Sequence, residues 1–496
     1  MINSKYKKIN DYIINLNEKI LGSNDDIYYI ANSTLTRNPF ASKILSEEST
    51  ITSVNNRFFF SSFLQYYLKA FVLFSFYILK LLIYKTYRQR KNVNNKILVD
   101  TFFIVDKILE NSNFQDTYFT GIDKVLKNEE YTYLVKNFYG SALNVKKFYK
   151  VIRILNKSDK NIISEFDFIN IVDLFRIVLF IVLYPFKIKK VFEQYKNENF
   201  VFDYSLIDSI NGNEFQSFVR YIVGKKINNN NSFTKVLSWC EYQDIDKAFY
   251  KGIKEVQNDI YIYGCQFLVS YDSWLNFSIP KSEEKYALTP DVVLTNGVYY
   301  LNHIGLNKKV GVSLRYQHIF NTKVIQRKEE YILVLGSFIK DETVNLIKIV
   351  NKFDTSLKVI LRLHPTHSFN MYKKYINTEW VLSVNESMSD VMDKSYMVIT
   401  NGATGTSLES VCMGKSTIIM SNKKGFNSIP LVDYGKGKIW DVAFSKNDVK
   451  ILYNNLLDYR NSNAEELKEI ATWYKGNFFV EPTEENIIKA FELDKG

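Results

Sequence analysis

Residues 397–419 read MVITNGATGTSLESVCMGKSTII, running from Met397 to Ile419. Met397 to Thr400 has the composition of a short strand, and Asn401, Gly402 and Gly405 break it. A helical pattern follows from about Ser407 to Met413, and Ser416 to Met420 opens another strand. A strand, a glycine-containing loop and a helix start, in that order, leave free backbone N–H groups and a positive helix end pointing at one place, which suits an anion. Thr404, Thr406 and Ser407 add hydroxyl donors, and Gly402 and Gly405 let the backbone approach a phosphate. Glu409, a turn further on, is placed to accept hydrogen bonds from ribose hydroxyls. The plainer alternative is a capped helix with Thr406 or Ser407 as the cap.

The same alternation extends outward. Tyr331 to Leu335 reads as a strand ending in Gly336 and Ser337, Asp341 to Phe353 as a helix, and Leu357 to Leu363 as a strand ending in His364 and Pro365. Strands and helices alternating at this spacing imply a parallel, doubly wound sheet, whose ligands bind beyond the carboxyl ends of the strands. Arg362-Leu-His-Pro-Thr-His-Ser368 then supplies a second anion-binding turn. His364 can donate to a phosphate oxygen there, and the fixed φ of Pro365 holds the turn.

Towards the amino terminus, Ile27 to Ala31, Ile97 to Thr101, Ile260 to Tyr263 and Val292 to Leu294 read as strands between helical patterns, so the class is α/β throughout. A polar tract from Lys225 to Ser232 reads as a surface loop, and charged residues from Lys323 to Glu330 mark a change of pattern. Two domains follow, 1–325 and 326–496, the second closed by a carboxyl-terminal helix. A chain of 496 residues fits two hydrophobic cores better than one.

Two apolar stretches, within 58–91 and 167–190, interrupt the first domain. Phe58 to Tyr84 is followed by Lys85, Arg88, Arg90 and Lys91, and Ile177 to Phe186 by Lys187, Lys189 and Lys190. The first is long enough to span a bilayer, the second too short. Lys69 and Lys80 fall on one helix face with Gln65 and Tyr84, so lying in the membrane interface is easier than crossing it. The alternative is a pair of buried core helices. The four cations at 85–91 are the expected membrane contacts.

The formal charge of +11 favours an anionic partner. No recognition helix, zinc pattern or aromatic RNA-binding signature is present, and the cations flank apolar segments, so lipid is preferred over nucleic acid. The 37 Phe and 35 Tyr fit an AT-rich coding sequence as well as any binding device. Cys240, Cys265 and Cys412 have no paired spacing, which argues against disulfides and a zinc site and fits a reducing cytoplasm. The opening MINSKYKKINDYIINL has no apolar signal core.

The His-Pro turn, the Ser/Thr-rich turn and the S-L-E-S-x-x-x-G-K-S-x-I-I ending resemble the nucleotide-binding domain of GT-B glycosyltransferases, above all bacterial sialyl and Kdo transferases of surface polysaccharide synthesis. The full-length layout also resembles a family of surface carbohydrate biosynthesis proteins, including Trp239-Cys-Glu-Tyr-Gln243 ahead of a helix. The likeness is good over about 330–430 and faint elsewhere. It implies two Rossmann-like doubly wound domains facing a cleft, with His364 on the donor phosphate, Thr404 and Thr406 on phosphate or sugar carboxylate, and Glu409 on the ribose. The nucleotide-sugar is then a substrate, and no cofactor is needed. CMP-ulosonic acids are the donors it favours, although Gly405 separates Thr404 from Thr406 where those relatives carry adjacent hydroxyls.

Inverting transfer needs a group from the opposite domain to take the acceptor proton. Glu241 is the candidate, because Trp239 and Tyr242 could stack on sugar rings beside it; a helix-start carboxylate is the alternative. Asp244-Ile-Asp246 superficially matches a metal-binding DxD but opens a helix, where Asp is a common cap, so no metal is expected. His303 and His318 receive no role. The expected activity is transfer of a sugar to a surface glycan or lipid-linked acceptor at the inner membrane face. The rivals are a CDP-glycerol-type polyol-phosphate transferase and a non-catalytic membrane scaffold.

Overall fold

The computed structural model describes residues 4–493 apart from 23–24, 34, 39–55, 90–94, 129, 142, 196–211, 230–231, 258, 272–273, 303–304, 322–330, 338, 353–357, 365–366, 384–385, 403 and 422–428. Arg90, Lys91, His303, Pro365 and the boundary at 325–326 lie outside the described residues.

The first sheet contains β1 (Ile97–Ile104), β2 (Tyr131–Tyr139), β3 (Ile162–Ser164), β4 (Lys235–Trp239), β5 (Tyr261–Gln266), β6 (Val292–Thr295) and β7 (Lys308–Val310). They pair in parallel in the order β3-β2-β1-β4-β5-β6-β7. The second contains β8 (Tyr331–Leu335), β9 (Lys358–Arg362), β10 (Val381–Leu382), β11 (Ser395–Asn401), β12 (Ser416–Met420) and β13 (Trp440–Ala443). It too is parallel, in the order β10-β9-β8-β11-β12-β13. Both orders reverse direction beside their first strand, between β1 and β4 and between β8 and β11. In such sheets the two crossovers leave from opposite faces at that point and open a crevice beyond the strand ends. The chain is therefore an α/β protein of two Rossmann-like doubly wound domains, as its alternating pattern implied.

Burial on both faces explains the strand composition. Val334, Leu361, Ile399 and Ile418 have no accessible surface, which is how a parallel sheet with helices on each side is stabilised. The two domains do not have wholly separate interiors. Val269, Tyr300, Tyr316 and Ile319 of the first half pack in one cluster with Leu408, Ile470, Tyr474 and Phe478 of the second. The helix Glu484–Phe491 leaves the second domain and packs Ile487 and Phe491 into the core of the first. It closes the first domain rather than the one its sequence position suggests. Phe491 meets the rings of Tyr263 and Phe267 with centroids 6.2 and 6.1 Å away.

The two apolar stretches form the helices Asn56–Tyr87 and Ile171–Tyr195. Each buries one face against the first core, through Tyr66, Phe74, Tyr77 and Leu81 on one and Ile177, Ile181, Tyr184 and Ile188 on the other. They run antiparallel: Phe63 meets Phe186 with ring centroids 6.0 Å apart, and Tyr67 donates to the Val182 carbonyl at 2.8 Å.

Two further expectations are corrected. Ile27 to Ala31 is not a strand: Asp26–Ile30 is a helical turn whose Tyr28 stacks on Phe180 at 4.7 Å. A five-residue apolar run carries too few positions to separate the two periods. Arg88 is not a surface cation either. Its guanidinium is buried and donates to Asn156 Oδ1 at 2.8 Å and the Ile162 carbonyl at 2.9 Å, while Lys85 stays exposed.

Candidate active site

At the first crevice, β4 ends in Trp239 and the turn 240–243 leads into the helix Asp244–Lys254. Lys136, on β2, fixes that turn. Its ammonium donates to the Trp239 carbonyl and pairs with Asp246 at 2.6 Å and Asp100 at 3.2 Å. Burial alone would lower the Lys136 pKa, but Asp100 and Asp246 outweigh it and hold it above the ordinary lysine value. Asp246 also accepts from the Gln243 N–H at 3.1 Å, so the DxD-like pair serves the helix start.

Tyr242 adopts φ 54°, a left-handed conformation that costs a non-glycine residue roughly 1–2 kcal/mol. Its ring is held under Lys247, 4.4 Å from the centroid, and its hydroxyl donates to Glu283 at 2.7 Å. Tyr242 and Trp239 are both fully buried, so neither offers the sugar-stacking face expected of it. The strained turn instead sets Glu241, which accepts from Trp239 Nε1 at 3.0 Å and Gln243 Nε2 at 2.7 Å. Burial raises the Glu241 pKa despite the Trp239 bond. The carboxylate does not cap the helix; Gln243 and Asp246 do.

The segment after β1 supplies residues that the sequence reading missed. Tyr118 packs edge-on to Trp239 with centroids 4.7 Å apart, and the Arg315 guanidinium lies 4.9 Å from the Tyr118 ring and 5.3 Å from the Trp239 ring. Asp116 is buried. Its Oδ1 accepts from the Tyr118 N–H at 2.8 Å and from Thr101 Oγ1 at 3.3 Å, and its Oδ2 completes no hydrogen bond among the described residues. Burial pushes this carboxyl up to about 6, against backbone N–H groups of 117–119 that pull it down. Asp116 lines a cavity of about 390 Å³ with Lys107, Glu110, Asn113, Thr117 and Thr120. Partial burial and the charges of Arg315 and Arg362 together lower the Lys107 pKa, so one cation from each domain bears on this ammonium. One signal pointed here: the first strand of a doubly wound sheet borders the crevice, so residues following Ile97 to Thr101 belong at the site.

In the second domain, Arg362 ends β9, is half-buried, and donates to the Glu386 carbonyl at 2.6 Å. His364 follows. Burial and the neighbouring His367 lower its pKa, so it is a neutral imidazole at pH 7. Gly336 and Ser337 follow β8, but the Ser337 hydroxyl is committed, donating to Glu342 at 2.8 Å and accepting from the Ile339 N–H at 2.9 Å. Thr404 and Thr406 share a hydrogen bond at 2.8 Å between their hydroxyls, and the buried Ser407 donates to the Thr404 carbonyl at 3.2 Å. Gly402 is open to a further group, since a Cβ there would meet nothing closer than 3.8 Å. Gly405 has a different reason to be glycine than phosphate approach: a Cβ would sit 3.1 Å from Val269, across the domain boundary.

Glu409 is likewise engaged across that boundary. His318 Nε2 lies 2.8 Å from Glu409 Oε2, which gives a partner to a histidine that the sequence left without one. Ninety-one residues separate the two, beyond the reach of any local pattern. Among the described residues no group of three or more His, Cys, Asp or Glu could hold a metal ion.

No protein-family model and no curated protein sequence matches the chain. Solved structures do. Over 80% of this chain and 100% of the other, the structure is similar to UDP-GlcNAc 2-epimerase from Neisseria meningitidis bound to UDP-GlcNAc, at 10% identity and a TM-score of 0.42. It is similar to Acinetobacter baumannii MurG over 80% and 99%, at 10% identity and 0.41. It is also similar to the wall teichoic acid polymerase TagF over 88% and 98%, at 9% identity and 0.41.

Proposed function

We propose that the chain is a GT-B glycosyltransferase that moves a sugar from a nucleotide-sugar donor to a surface glycan or lipid-linked acceptor at the cytoplasmic membrane face. The observation that carries this reading is that Lys107, which lines the cavity beside Asp116, feels the charge of an arginine from each domain, Arg315 and Arg362. Three cations drawn from both domains suit the phosphate of a donor and the charge its leaving group develops, without calling on a metal. Neutral His364 donates one N–H to the same phosphate. On the other side Glu241, oriented by Trp239 and Gln243, takes the proton of the acceptor hydroxyl as the new glycosidic bond forms and the nucleotide leaves. Its raised pKa suits a base that must accept a proton near neutral pH. Inversion follows from a single displacement of this kind, and a CMP-ulosonic acid is the first donor to try.

A thermal-shift series with CMP, UDP, GDP and CDP, then with CMP- and UDP-sugars and CDP-glycerol, tests the reading. One nucleotide class should stabilise the protein, and Lys107→Ala should weaken its binding by roughly 1.5–3 kcal/mol, the contribution of one charge-assisted hydrogen bond. Stabilisation by CDP-glycerol alone would favour polyol-phosphate transfer. No response to any nucleotide would sink both.

A further inference from the structure

The helices Asn56–Tyr87 and Ile171–Tyr195 bury one face each, and their other faces are apolar too. Leu68 is 63% exposed and Phe175 70% exposed. On the first helix Leu64, Leu68, Val72, Leu79 and Leu82 recur at intervals of three, four or seven and so form a single outward stripe. On the second Ile171, Phe175, Leu179, Val182 and Phe186 do the same. The antiparallel pairing at Phe63–Phe186 and Tyr67–Val182 sets the two stripes side by side. A continuous apolar face of this kind is larger than the isolated apolar side chains a soluble surface tolerates and needs a cover.

Charge decides what covers it. Among the described residues of the two helices, Lys69, Lys85, Arg176 and Lys190 are exposed and Lys189 is partly exposed, while Asp173 is buried against Lys226 with Arg176 3.6 Å away, and Glu193 is paired with Lys189 at 3.4 Å. A second copy would bring this cationic rim against itself. An anionic bilayer would meet it with opposite charge.

Depth follows from packing. The segment 62–87 is long and apolar enough to cross a membrane. To do so it would have to strip Tyr66, Phe74, Tyr77 and Leu81 out of the core, whereas lying in the plane leaves them where they are. We propose that the paired outward faces of these two helices seat the protein on an anionic bilayer as an in-plane hairpin, with the apolar stripes at the headgroup boundary and neither helix spanning. This deepens the membrane-face placement made above and assigns the contact to leucine and phenylalanine side chains, the cations serving as a rim.

The test uses the whole protein and vesicles of phosphatidylcholine with and without 30% phosphatidylglycerol (roughly, as an anionic surface). Leu68→Glu with Phe175→Glu should cut the vesicle-bound fraction at least about tenfold, while melting temperature and nucleotide-induced stabilisation stay as in the parent, because both side chains are exposed. Lys85→Gln with Lys189→Gln should lower binding less, and only on anionic vesicles. Phe175→Trp should be quenched by shallow brominated lipids and not by lipids brominated near the bilayer centre. Unchanged binding of the double-Glu variant would overturn the proposal, as would deep quenching, or a parent protein that dimerises through this face and ignores vesicles. Vesicle binding needs no donor, so a protein that binds lipid but no nucleotide would refute the transferase reading alone.

Discussion

Asp116 is a carboxyl group held where ionising is unfavourable. Its folded pKa of about 6 lies above the ordinary 3.8, so the folded protein binds this proton more tightly than the unfolded chain does. The sign follows: folding loses stability from this group as pH rises from about 4 to about 6, and the penalty is fully present above that. A shift of two units corresponds to roughly 3 kcal/mol. Asp116→Asn keeps an oxygen for the Tyr118 N–H and Thr101 and removes the charge. It should therefore raise stability at pH 7.5 by about 1–3 kcal/mol and leave it nearly unchanged at pH 4, as measured by urea unfolding. A gain of the same size at both pH values would mean that charge is not the cause. Glu241 stood out in the sequence as a candidate because Trp239-Cys-Glu-Tyr242 precedes a clear helix start. Asp116, Lys107 and Arg315 did not, since no motif marks them and they lie on three separate segments that only the fold brings to one end of the first sheet.

The helices Phe215–Lys226 and Asp244–Lys254 show how close elements are placed. They touch at two glycines: a Cβ on Gly252 would stand 2.2 Å from the Tyr221 carbonyl oxygen, and one on Gly224 2.4 Å from that of Phe249. Helix propensity favours Ala over Gly by up to about 1 kcal/mol, but a clash between backbones is not relieved by turning a side chain. Gly252→Ala should therefore destabilise by about 2–3 kcal/mol in thermal or urea unfolding, and a rise in stability would show that the helices part freely. The crossing also fixes Asp246, and through Lys136 the turn that carries Glu241. Strands of the second domain were legible because Tyr331–Leu335 and Ser416–Met420 are apolar runs bounded by Gly, Ser or Asn. The turn at Asp26–Ile30 was misread because the stacking partner of its Tyr28, Phe180, lies on a helix about 150 residues away in sequence.

The whole molecule is less divisible than its two sheets suggest. His318 with Glu409, and Val269 against Gly405, tie the halves together beside the site, and Glu484–Phe491 returns to the first domain. Phe491 is fully buried there, so Phe491→Ala should cost about 3–5 kcal/mol and should weaken the first domain, although the residue follows the second in sequence. Hydrogen exchange would show the loss as reduced protection in β5 and β6; reduced protection confined to β8–β13 would contradict the assignment. That two domains exist could be read from the sequence; that the chain comes back could not, because an amphipathic helix carries no mark of which core it will enter. The return has a consequence for synthesis. About 170 residues separate Val310, at the end of β7, from Glu484. At roughly 5–20 residues per second a ribosome needs on the order of 10–35 s to make them. Throughout that interval the nascent first domain waits with the Tyr263–Phe267 pocket uncovered, a window in which a chaperone can hold it.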